Sequence, residues 1–255
     1  HLSYYCRYVL RLMENERASF RYSDSGTFIH RILEVFMRAI TNEQGLRRDV
    51  EFEDIRRMVL EETERYILEL SPNREKLGKR LSHLFKRLSR LAVTIAMDLY
   101  AEFRDSEFVP RLFEARIGHG SEYGIASPVI ELGNGSRVNI YGVVDRIDVF
   151  RSGDDVYIKV VDYKTGSKKF SLRDIERGLN TQLLLYLFAV CRSQSPLLRE
   201  KLGCGEDGTL KPAGALYMST AFPPVKLDSK TDEKTALELA AAGIRREGIL
   251  VDRDE

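Results

Sequence analysis

The sequence predicts an α/β protein in which helices flank a mixed central sheet and a helical annex precedes that sheet. Residues 49–70 and 74–103 repeat apolar side chains at helical spacing. Residues 141–161 instead alternate β-branched and polar residues around a turn, which is typical of two adjacent strands. Residues 180–190 are strongly apolar again and predict a buried helix. Helices on either side of strands indicate the α/β class.

We expect the annex to cover residues 1–108 and the core to cover residues 109–255, packed together as one integrated domain. A content of 43% hydrophobic residues in 255 is enough for such a core. The chain starts at His1 rather than at a methionine, so we interpret it as a fragment of a longer protein.

The annex is predicted to be helical from its first residues. Residues 1–22 favour a short helix, and Ser23-Asp24-Ser25 offers an N-cap for the next helix, which carries His30. That helix has a wide apolar face. His30 is therefore either a core histidine satisfied by a hydrogen bond or a metal ligand.

The segment Tyr141–Phe150 predicts a strand that carries an unusual carboxylate. Asp145 alternates with Val143, Ile147 and Val149, so it is flanked by apolar side chains, which is costly unless it is paired or bound to a metal. Arg146 and Asp148 fall on the opposite face and are expected to pair with each other. The turn residues Ser152-Gly153-Asp154-Asp155 end the strand.

The strand that follows contains Val161-Asp162-Tyr163-Lys164. Asp162 and Lys164 share one face of it, while Val161 and Tyr163 share the other. A carboxylate beside an ammonium group is the minimum equipment for metal-dependent phosphodiester hydrolysis, although the same spacing also occurs in ion pairs on exposed strands. The hairpin brings Asp145 towards Asp162, and this larger constellation is much rarer.

The remaining elements frame these two strands. Gln182 and Tyr186 are four residues apart on the predicted helix, so they lie on one face of it. Glu114, on a predicted strand at 113–118, is either a supporting carboxylate or a salt-bridge partner. Further predictions concern a turn at 133–135, a loop or short helix at 170–178, a strand at 213–218 and a surface helix at 231–247.

The order of these motifs resembles a known family. Gly142-Val143-Val144-Asp145-Arg146-Ile147-Asp148, then Val161–Gly166, then Gln182-x-x-x-Tyr186 resembles the RecB-type branch of the PD-(D/E)xK nuclease superfamily. Gly26-x-x-x-His30 looks like the family's histidine helix. Within the branch, the chain is most similar to the nuclease domain of the B subunit (AddB) of AddAB-type helicase-nucleases. The resemblance covers nearly the whole chain except residues 41–110.

This resemblance implies a restriction-endonuclease-like fold and a Mg²⁺- or Mn²⁺-dependent deoxyribonuclease, an exonuclease of double-strand break repair. Its metal ligands would be His30, Asp145, Asp162 and the backbone carbonyl of Tyr163. Its catalytic residues would be Asp145, Asp162, Lys164, Gln182 and Tyr186. The implied partners are DNA, as a single strand or a duplex end, and an AddA-like helicase-nuclease subunit. The implied location is cytoplasmic, without a membrane.

Relatives also hold a 4Fe-4S cluster through four cysteines. The segment His1–Leu12 resembles the family segment that follows the first of these cysteines, which makes Cys6 an ordinary residue. Cys191 and Cys204 lack the spacing of cluster ligands. We therefore expect neither a cluster nor a disulfide framework in this chain.

A basic stretch at residues 73–92 offers a second route to DNA. Arg80, Arg87 and several lysines there form either a solvated helix face or a rail for DNA phosphates. Lys168 and Lys169, after the second acidic strand, are also predicted to contact phosphate. The net charge of +1 is low for a dedicated nucleic-acid binder, but acidic metal ligands lower it in a nuclease.

Two alternatives to an AddB-like nuclease stay open. The first is a DNA-binding or structural module that kept the fold without the chemistry. The presence of Asp145, Asp162 and Lys164 together argues against it. The second is a Cas4-like nuclease, which shares these motifs. The long insertion at 41–110 and the N-terminal segment argue against that one.

No apolar run reaches the roughly 20 residues of a membrane span.

Overall fold

The computed structural model describes residues 22–42, 45–71, 78–131, 133–165, 170–221 and 231–251. Three long helices form one layer of the protein: α1 (Tyr22–Ile40), α2 (Phe52–Leu70) and α3 (Gly78–Arg104). A small hairpin of β1 (Thr41–Asn42) and β2 (Gly45–Leu46) follows α1. The two long helices predicted from apolar spacing are confirmed as α2 and α3. The helix predicted in residues 1–22 lies almost wholly outside the described residues.

The strands form one five-stranded sheet and a separate hairpin. The hairpin pairs β4 (Val129–Glu131) with β5 (Arg137–Asn139), on either side of the predicted turn. The sheet contains β3 (Val109–Ile117), β6 (Gly142–Ser152), β7 (Asp155–Lys164), β8 (Leu210–Ser219) and β9 (Arg246–Leu250), in that order. Strands β7 and β8 are parallel and the other neighbours are antiparallel. The sheet is therefore mixed, as the sequence predicts.

Four shorter helices complete the described structure. They are α4 (Leu172–Glu176), α5 (Gln182–Cys191), α6 (Pro196–Leu202) and α7 (Glu233–Ala241). Helix α6 shows how the local sequence fixes such an element. The Ser195 hydroxyl caps its first turn, Pro196 fits the first helical position, and Gly203 ends it with the left-handed backbone that glycine allows.

Two buried apolar clusters lie on opposite faces of the sheet. Val161 and Tyr163 of β7 pack with residues of α1, α2 and α3. Ile158 and Val160 of the same strand pack with residues of α5 and α6. This alternation is the period of two expected for a strand covered on both faces. The helical layer therefore packs directly on the sheet through one continuous cluster.

Strands β6 and β7 separate at one end of their hairpin. Their pairing runs from Ser152 opposite Asp155 to Arg146 opposite Val161. Beyond that point β6 continues beside β3, while β7 continues beside β8. We call this opening the fork. The first residue beyond it is Asp145 on one branch and Asp162 on the other.

Two predicted boundaries are wrong. Helix α1 already includes Ser23, Asp24 and Ser25, so these residues do not form its N-cap. The surface helix predicted for residues 231–247 ends at Ala241, and Arg246 begins β9. That short strand is held by its pairing with β8, an interaction that the local sequence does not reveal.

The strict alternation predicted for β6 also fails, at Asp145. Val144 is buried in the same cluster as Ile147 and Val149, although the period of two places Val143 there. Val143 is exposed instead. The side-chain alternation of β6 therefore changes phase at Asp145, the residue at which β6 also leaves β7. The predicted pair of Arg146 and Asp148 is confirmed, with a bidentate contact of 2.8 and 3.0 Å.

Candidate metal centre

The fork brings the two predicted carboxylates to adjacent branches. The backbone N–H of Tyr163 donates to Asp145 Oδ2 at 2.6 Å, so this side chain bridges from β6 to β7. Asp162 lies just before Tyr163 and is buried. The hairpin register alone predicts this meeting, because Asp145 would be opposite Asp162 if pairing continued one residue further. Tyr163 O is expected to point the same way as its N–H, towards Asp145.

Lys164 and α5 hold Asp162 from the other side. Lys164 Nζ forms an ion pair with Asp162 Oδ2 and lies 5.7 Å from the ring centre of Tyr217. Gln182 Nε2 approaches Asp162 Oδ1 at 3.4 Å and donates to the Tyr186 hydroxyl at 3.0 Å. The predicted helix thus presents its two polar side chains to the second acidic branch.

A glycine makes room for this polar pair. A Cβ atom at Gly142, the first residue of β6, would lie 2.2 Å from the Tyr186 hydroxyl oxygen. Any side chain there would collide with the phenol. Glycine at the start of the Gly-x-x-Asp motif therefore lets Tyr186 reach the fork.

His30 approaches the fork from α1. Its Nδ1 lies 3.7 Å from Asp145 Oδ1 and 3.5 Å from Glu114 Oε1. Its ring meets the Tyr163 ring edge to face, with centres 5.4 Å apart. Helix α1 buries the apolar side chains Phe28, Ile29, Ile32 and Leu33 in the cluster that it shares with α2, α3 and one face of the sheet. Their packing fixes the side of α1 that His30 presents to the carboxylates.

Glu114 also reaches this position, and its backbone is unusual. Its φ of 50° is rare for a residue other than glycine. Leu112 and Ala115 pack in the same apolar cluster, and Phe113 packs in the opposite one, so the side-chain alternation of β3 changes phase at Glu114. A salt-bridge partner and a supporting carboxylate were both compatible with the sequence. The structure places Glu114 beside His30 and Asp145.

These groups border an open cleft of about 580 Å³ between α1 and the fork. The cleft is lined by Gly26, Thr27, His30, Arg31, Glu34, Glu114, Tyr163, Lys164 and Thr165. Asp145 lies behind His30, with 10% of its side chain exposed. A ligand that enters the cleft therefore meets His30, Glu114 and Lys164 before it reaches Asp145.

Comparison with known proteins identifies the family. Residues 1–249 match the family described as the PD-(D/E)XK nuclease superfamily. The chain belongs to this superfamily. Its five-stranded mixed sheet with helices on both faces is the restriction-endonuclease-like fold expected of a PD-(D/E)XK nuclease.

Three bacterial relatives are each named as the B subunit of an ATP-dependent helicase/deoxyribonuclease. The chain is 29% identical over 249 residues to the protein of Clostridioides difficile and 31% identical over 251 residues to that of Thermoanaerobacter sp.. It is 28% identical over 253 residues to that of Exiguobacterium sibiricum. These matches cover 98%, 98% and 99% of this chain, but only 21% of each relative. The resemblance to AddB drawn from the motifs is confirmed.

A divalent ion of the kind that PD-(D/E)XK nucleases use fits the described residues. Ligand bonds of roughly 2.0–2.5 Å allow two ligands of one ion to be at most about 5 Å apart. One ligand atom from each of His30, Glu114 and Asp145 lies within 4.8 Å of the others. Asp162 belongs to the predicted ligand set but not to this trio. Its Oδ2 faces Lys164, and its Oδ1 faces Gln182.

The electrostatics at this PD-(D/E)XK site favour a cation. Burial, reinforced by the charge of Asp162, raises the pKa of Asp145 to about 6. Burial alone would lower the pKa of His30, but its contacts with Glu114 and Asp145 raise the pKa above its ordinary value. The carboxylates of Glu114, Asp145 and Asp162 thus lie close together, with few positively charged groups nearby to stabilise their ionised forms. A divalent ion would supply the positive charge that the side chains at this site do not provide.

The sequence predicted only the Arg146–Asp148 pair of a larger group of charges on the other side of Tyr163. Arg146 is buried and donates to the Tyr163 hydroxyl at 2.9 Å in addition to Asp148. Lys159 Nζ contacts Asp148 at 3.2 Å and Glu102 at 3.0 Å. The group continues to the ion pairs that Arg246 forms with Glu102 and Asp98. We call these six residues the buried charge network. The polar positions of β6 and β7 on the annex side were its sequence signal.

The predicted DNA rail lies away from the cleft. Arg80 and Arg87 are exposed on α3. Arg87 lines a separate groove between α2, α3 and α7, together with Arg56, His83, Lys86 and Arg90. The two sets of lining residues have no member in common. Lys168 and Lys169 lie outside the described residues.

The two described cysteines lie elsewhere. Cys191 and Cys204 are free and line a third pocket beside α6. Burial raises the pKa of Cys191 to about 12, which disfavours the thiolate that a metal ligand requires. Cys6 lies outside the described residues. Among the described helices, none has the length and apolarity needed to cross a membrane.

Proposed function

We propose that this protein hydrolyses DNA phosphodiester bonds with Mg²⁺ or Mn²⁺, as the exonuclease domain of an AddB-like helicase-nuclease subunit. The observation that carries the proposal is the fork, where Asp145 and Asp162 occupy adjacent branches beside His30 and Lys164. The names of the relatives support a deoxyribonuclease that works with a helicase. The chain spans about a fifth of their length, so the activity of the whole protein belongs to this proposal.

The metal would be held by His30, Asp145, Asp162 and the carbonyl of Tyr163. Such an ion lowers the pKa of bound water and stabilises negative charge on phosphate. The Tyr163 N–H holds Asp145 in place through its 2.6 Å hydrogen bond. Gln182, supported by Tyr186, orients Asp162. These contacts hold the two carboxylates on adjacent branches of the fork.

Lys164 has a distinct role in this mechanism. Its ammonium group is partly exposed to the cleft and can reach a phosphate oxygen or a water molecule there. We propose that Lys164 positions the attacking water and offsets the negative charge that develops on the phosphate. When no DNA is bound, the ion pair with Asp162 keeps the Lys164 ammonium group positioned at the cleft.

The substrate and the partners follow from the same proposal. The DNA enters the cleft as a single strand or a duplex end, supplied by an AddA-like helicase-nuclease subunit during double-strand break repair. Arg80, Arg87, Lys168 and Lys169 would contact phosphates outside the cleft, with a contribution that falls as salt rises. Because bacterial DNA lies in the cytoplasm, we propose that location for the protein.

The deciding experiment compares Asp162→Asn with a matched control, Asp105→Asn, on end-labelled linear DNA with Mg²⁺ and with Mn²⁺. Asp105 is an exposed carboxylate near the end of α3. We expect Asp162→Asn to reduce cleavage at least about 100-fold and the control to leave it unchanged. A protein that binds DNA but shows no metal-dependent cleavage would instead be a binding module of the same fold.

A further inference from the structure

We propose that Glu114 is a direct ligand of the divalent ion, a role that the family resemblance did not assign to it. This inference rests on the proposed function, because it adds a ligand to the same metal centre. It would make β3 a third strand of the sheet that contributes to the centre. On the α1 side of the fork, Glu114 would then bind the ion together with His30 and Asp145, in addition to the other proposed ligands.

The first argument is the arrangement of the three side chains. Their ligand atoms lie within 4.8 Å of one another. The closest approaches to His30 Nδ1 are 3.5 Å from Glu114 and 3.7 Å from Asp145. These distances are too long for strong hydrogen bonds. They match the spacing of ligands around one ion.

The second argument is the state of Asp145, which is nine-tenths buried. Its Oδ2 accepts the hydrogen bond from Tyr163 N, but its Oδ1 faces the gap in front of His30 and Glu114. Among the described residues, no hydrogen-bond donor serves this Oδ1. Because the side chain is largely buried, an Oδ1 without a donor is poorly solvated, and a cation in the gap would compensate for the missing solvation.

The third argument concerns the position of Glu114 in the sheet. The pairs Phe113 with Arg146 and Ala115 with Val144 place Glu114 directly opposite Asp145. Like charges opposite each other on neighbouring strands destabilise a sheet. Glu114 also has the rare φ of 50°, a backbone conformation that glycine adopts without steric strain. Repulsion from Asp145 and the positive φ both destabilise the fold at Glu114. A role as a ligand of the ion explains why a carboxylate occupies this position.

The test measures Mn²⁺ binding by the purified protein, with EPR detection of free Mn²⁺ up to millimolar concentrations. The matched control is Glu131→Gln, an exposed carboxylate on β4 that pairs with Arg137. We expect Glu114→Gln to weaken Mn²⁺ binding at least tenfold and the control to leave it unchanged. Equal affinity of Glu114→Gln and the unaltered protein would overturn the proposal.

A double-mutant cycle separates a ligand from a residue that only positions His30. A direct ligand still contributes when the histidine is absent, so Glu114→Gln should weaken Mn²⁺ binding again in a His30→Ala background, at least threefold. If the effect vanishes in that background, Glu114 acts only through His30 and the ligand role is wrong. If the unaltered protein binds no Mn²⁺, the proposed function itself fails together with this inference.

A second variant tests the trade between stability and binding. Glu114→Gly relieves both the backbone conformation and the repulsion from Asp145. We expect it to raise the melting temperature of the metal-free protein by a few degrees while it weakens Mn²⁺ binding. A Glu114→Gly protein that is less stable and binds Mn²⁺ normally would show that Glu114 has a structural role alone.

Discussion

Two groups of charged residues flank Tyr163, and they differ in how their charges are balanced. In the buried charge network, Arg146, Lys159 and Arg246 face Asp98, Glu102 and Asp148. At the metal centre, the carboxylates Glu114, Asp145 and Asp162 share His30 and Lys164. The first group contains as many cations as carboxylates. The second has one permanent cation for three carboxylates.

The same carboxylate chemistry therefore has opposite outcomes. Burial opposes ionisation of Glu102, but the charges of Arg146, Lys159 and Arg246 outweigh it and lower its pKa to about 2. Burial raises the pKa of Asp145 to about 6. Asp98, at the edge of the network, is an exception, since burial raises its pKa despite Arg246. The charges of the buried network neutralise one another without a ligand. The carboxylates of the other group exceed the nearby cations, and this excess of negative charge favours binding of a metal cation.

The largest effect is expected on the balanced side. Arg146→Met leaves Asp148 buried without its bidentate partner and removes the bond to the Tyr163 hydroxyl. We expect a loss of about 3–5 kcal/mol of stability, measured by urea unfolding. Arg146→Met combined with Asp148→Leu should recover much of this loss. No recovery in the double variant would show that the charge pair is not what the single change disrupts.

On the unbalanced side, the key change is Lys164→Met. We expect cleavage to fall by about 10²–10³-fold if the lysine has its proposed role of offsetting the charge that develops on the phosphate. Mn²⁺ binding should persist or tighten, since Asp162 loses a competing cation. The readouts are a cleavage assay and a Mn²⁺ titration. Loss of Mn²⁺ binding in this variant would contradict the separate roles given to the lysine and the carboxylates.

The two pKa shifts predict effects on different properties in different pH ranges. A lowered carboxyl pKa stabilises the fold above about pH 4.5, and this stability disappears as the pH falls towards 2. Glu102 should thus contribute on the order of 3 kcal/mol at pH 7, and Glu102→Gln should flatten the stability curve between pH 4.5 and 2. Urea unfolding across this range measures the effect. An unchanged slope would show that Glu102 is not stabilised by the network.

For Asp145, the raised pKa acts on metal binding rather than through a stabilising pair. A ligand carboxylate must lose its proton, so Mn²⁺ affinity should fall as the pH drops through about 6. His30, with its own raised pKa, changes affinity in the same direction. Mn²⁺ titrations from pH 5 to 8 test this, and affinity that is constant over the range would contradict it.

The smallest effect is expected from Gly142→Ala. The added methyl group would displace the Tyr186 hydroxyl and weaken its hydrogen bond with Gln182. We expect cleavage to decrease about tenfold with only a small change in Mn²⁺ binding. Tyr186→Phe, which removes the hydroxyl, should reproduce this decrease and mask any further effect of the alanine. Additive losses would show that Gly142 acts elsewhere.

The sequence predicted the parts of this site that depend on local spacing. The turn at Gly153 and Asp154 fixes the hairpin register, and that register alone brings Asp145 to Asp162. The four-residue spacing of Gln182 and Tyr186 likewise follows from the helix. The position of the Glu114 side chain could not be predicted in this way, because a glutamate gives no indication that its backbone has a positive φ. The network around Arg246 depends on contacts more than 140 positions apart in the chain, which spacing cannot reveal.

The fork gives the acidic residues different supports. Beyond Arg146 and Val161, the branch with Asp145 is held by β3, and the branch with Asp162 is held by β8. The gap between the carboxylates therefore depends on the flanking strands β3 and β8 rather than on direct pairing of β6 with β7. Substitutions in β3 or β8 that leave every catalytic group intact can widen or narrow this gap. We expect such substitutions to shift the preference of the proposed metal site between a smaller and a larger ion, without any change to the residues that would hold it.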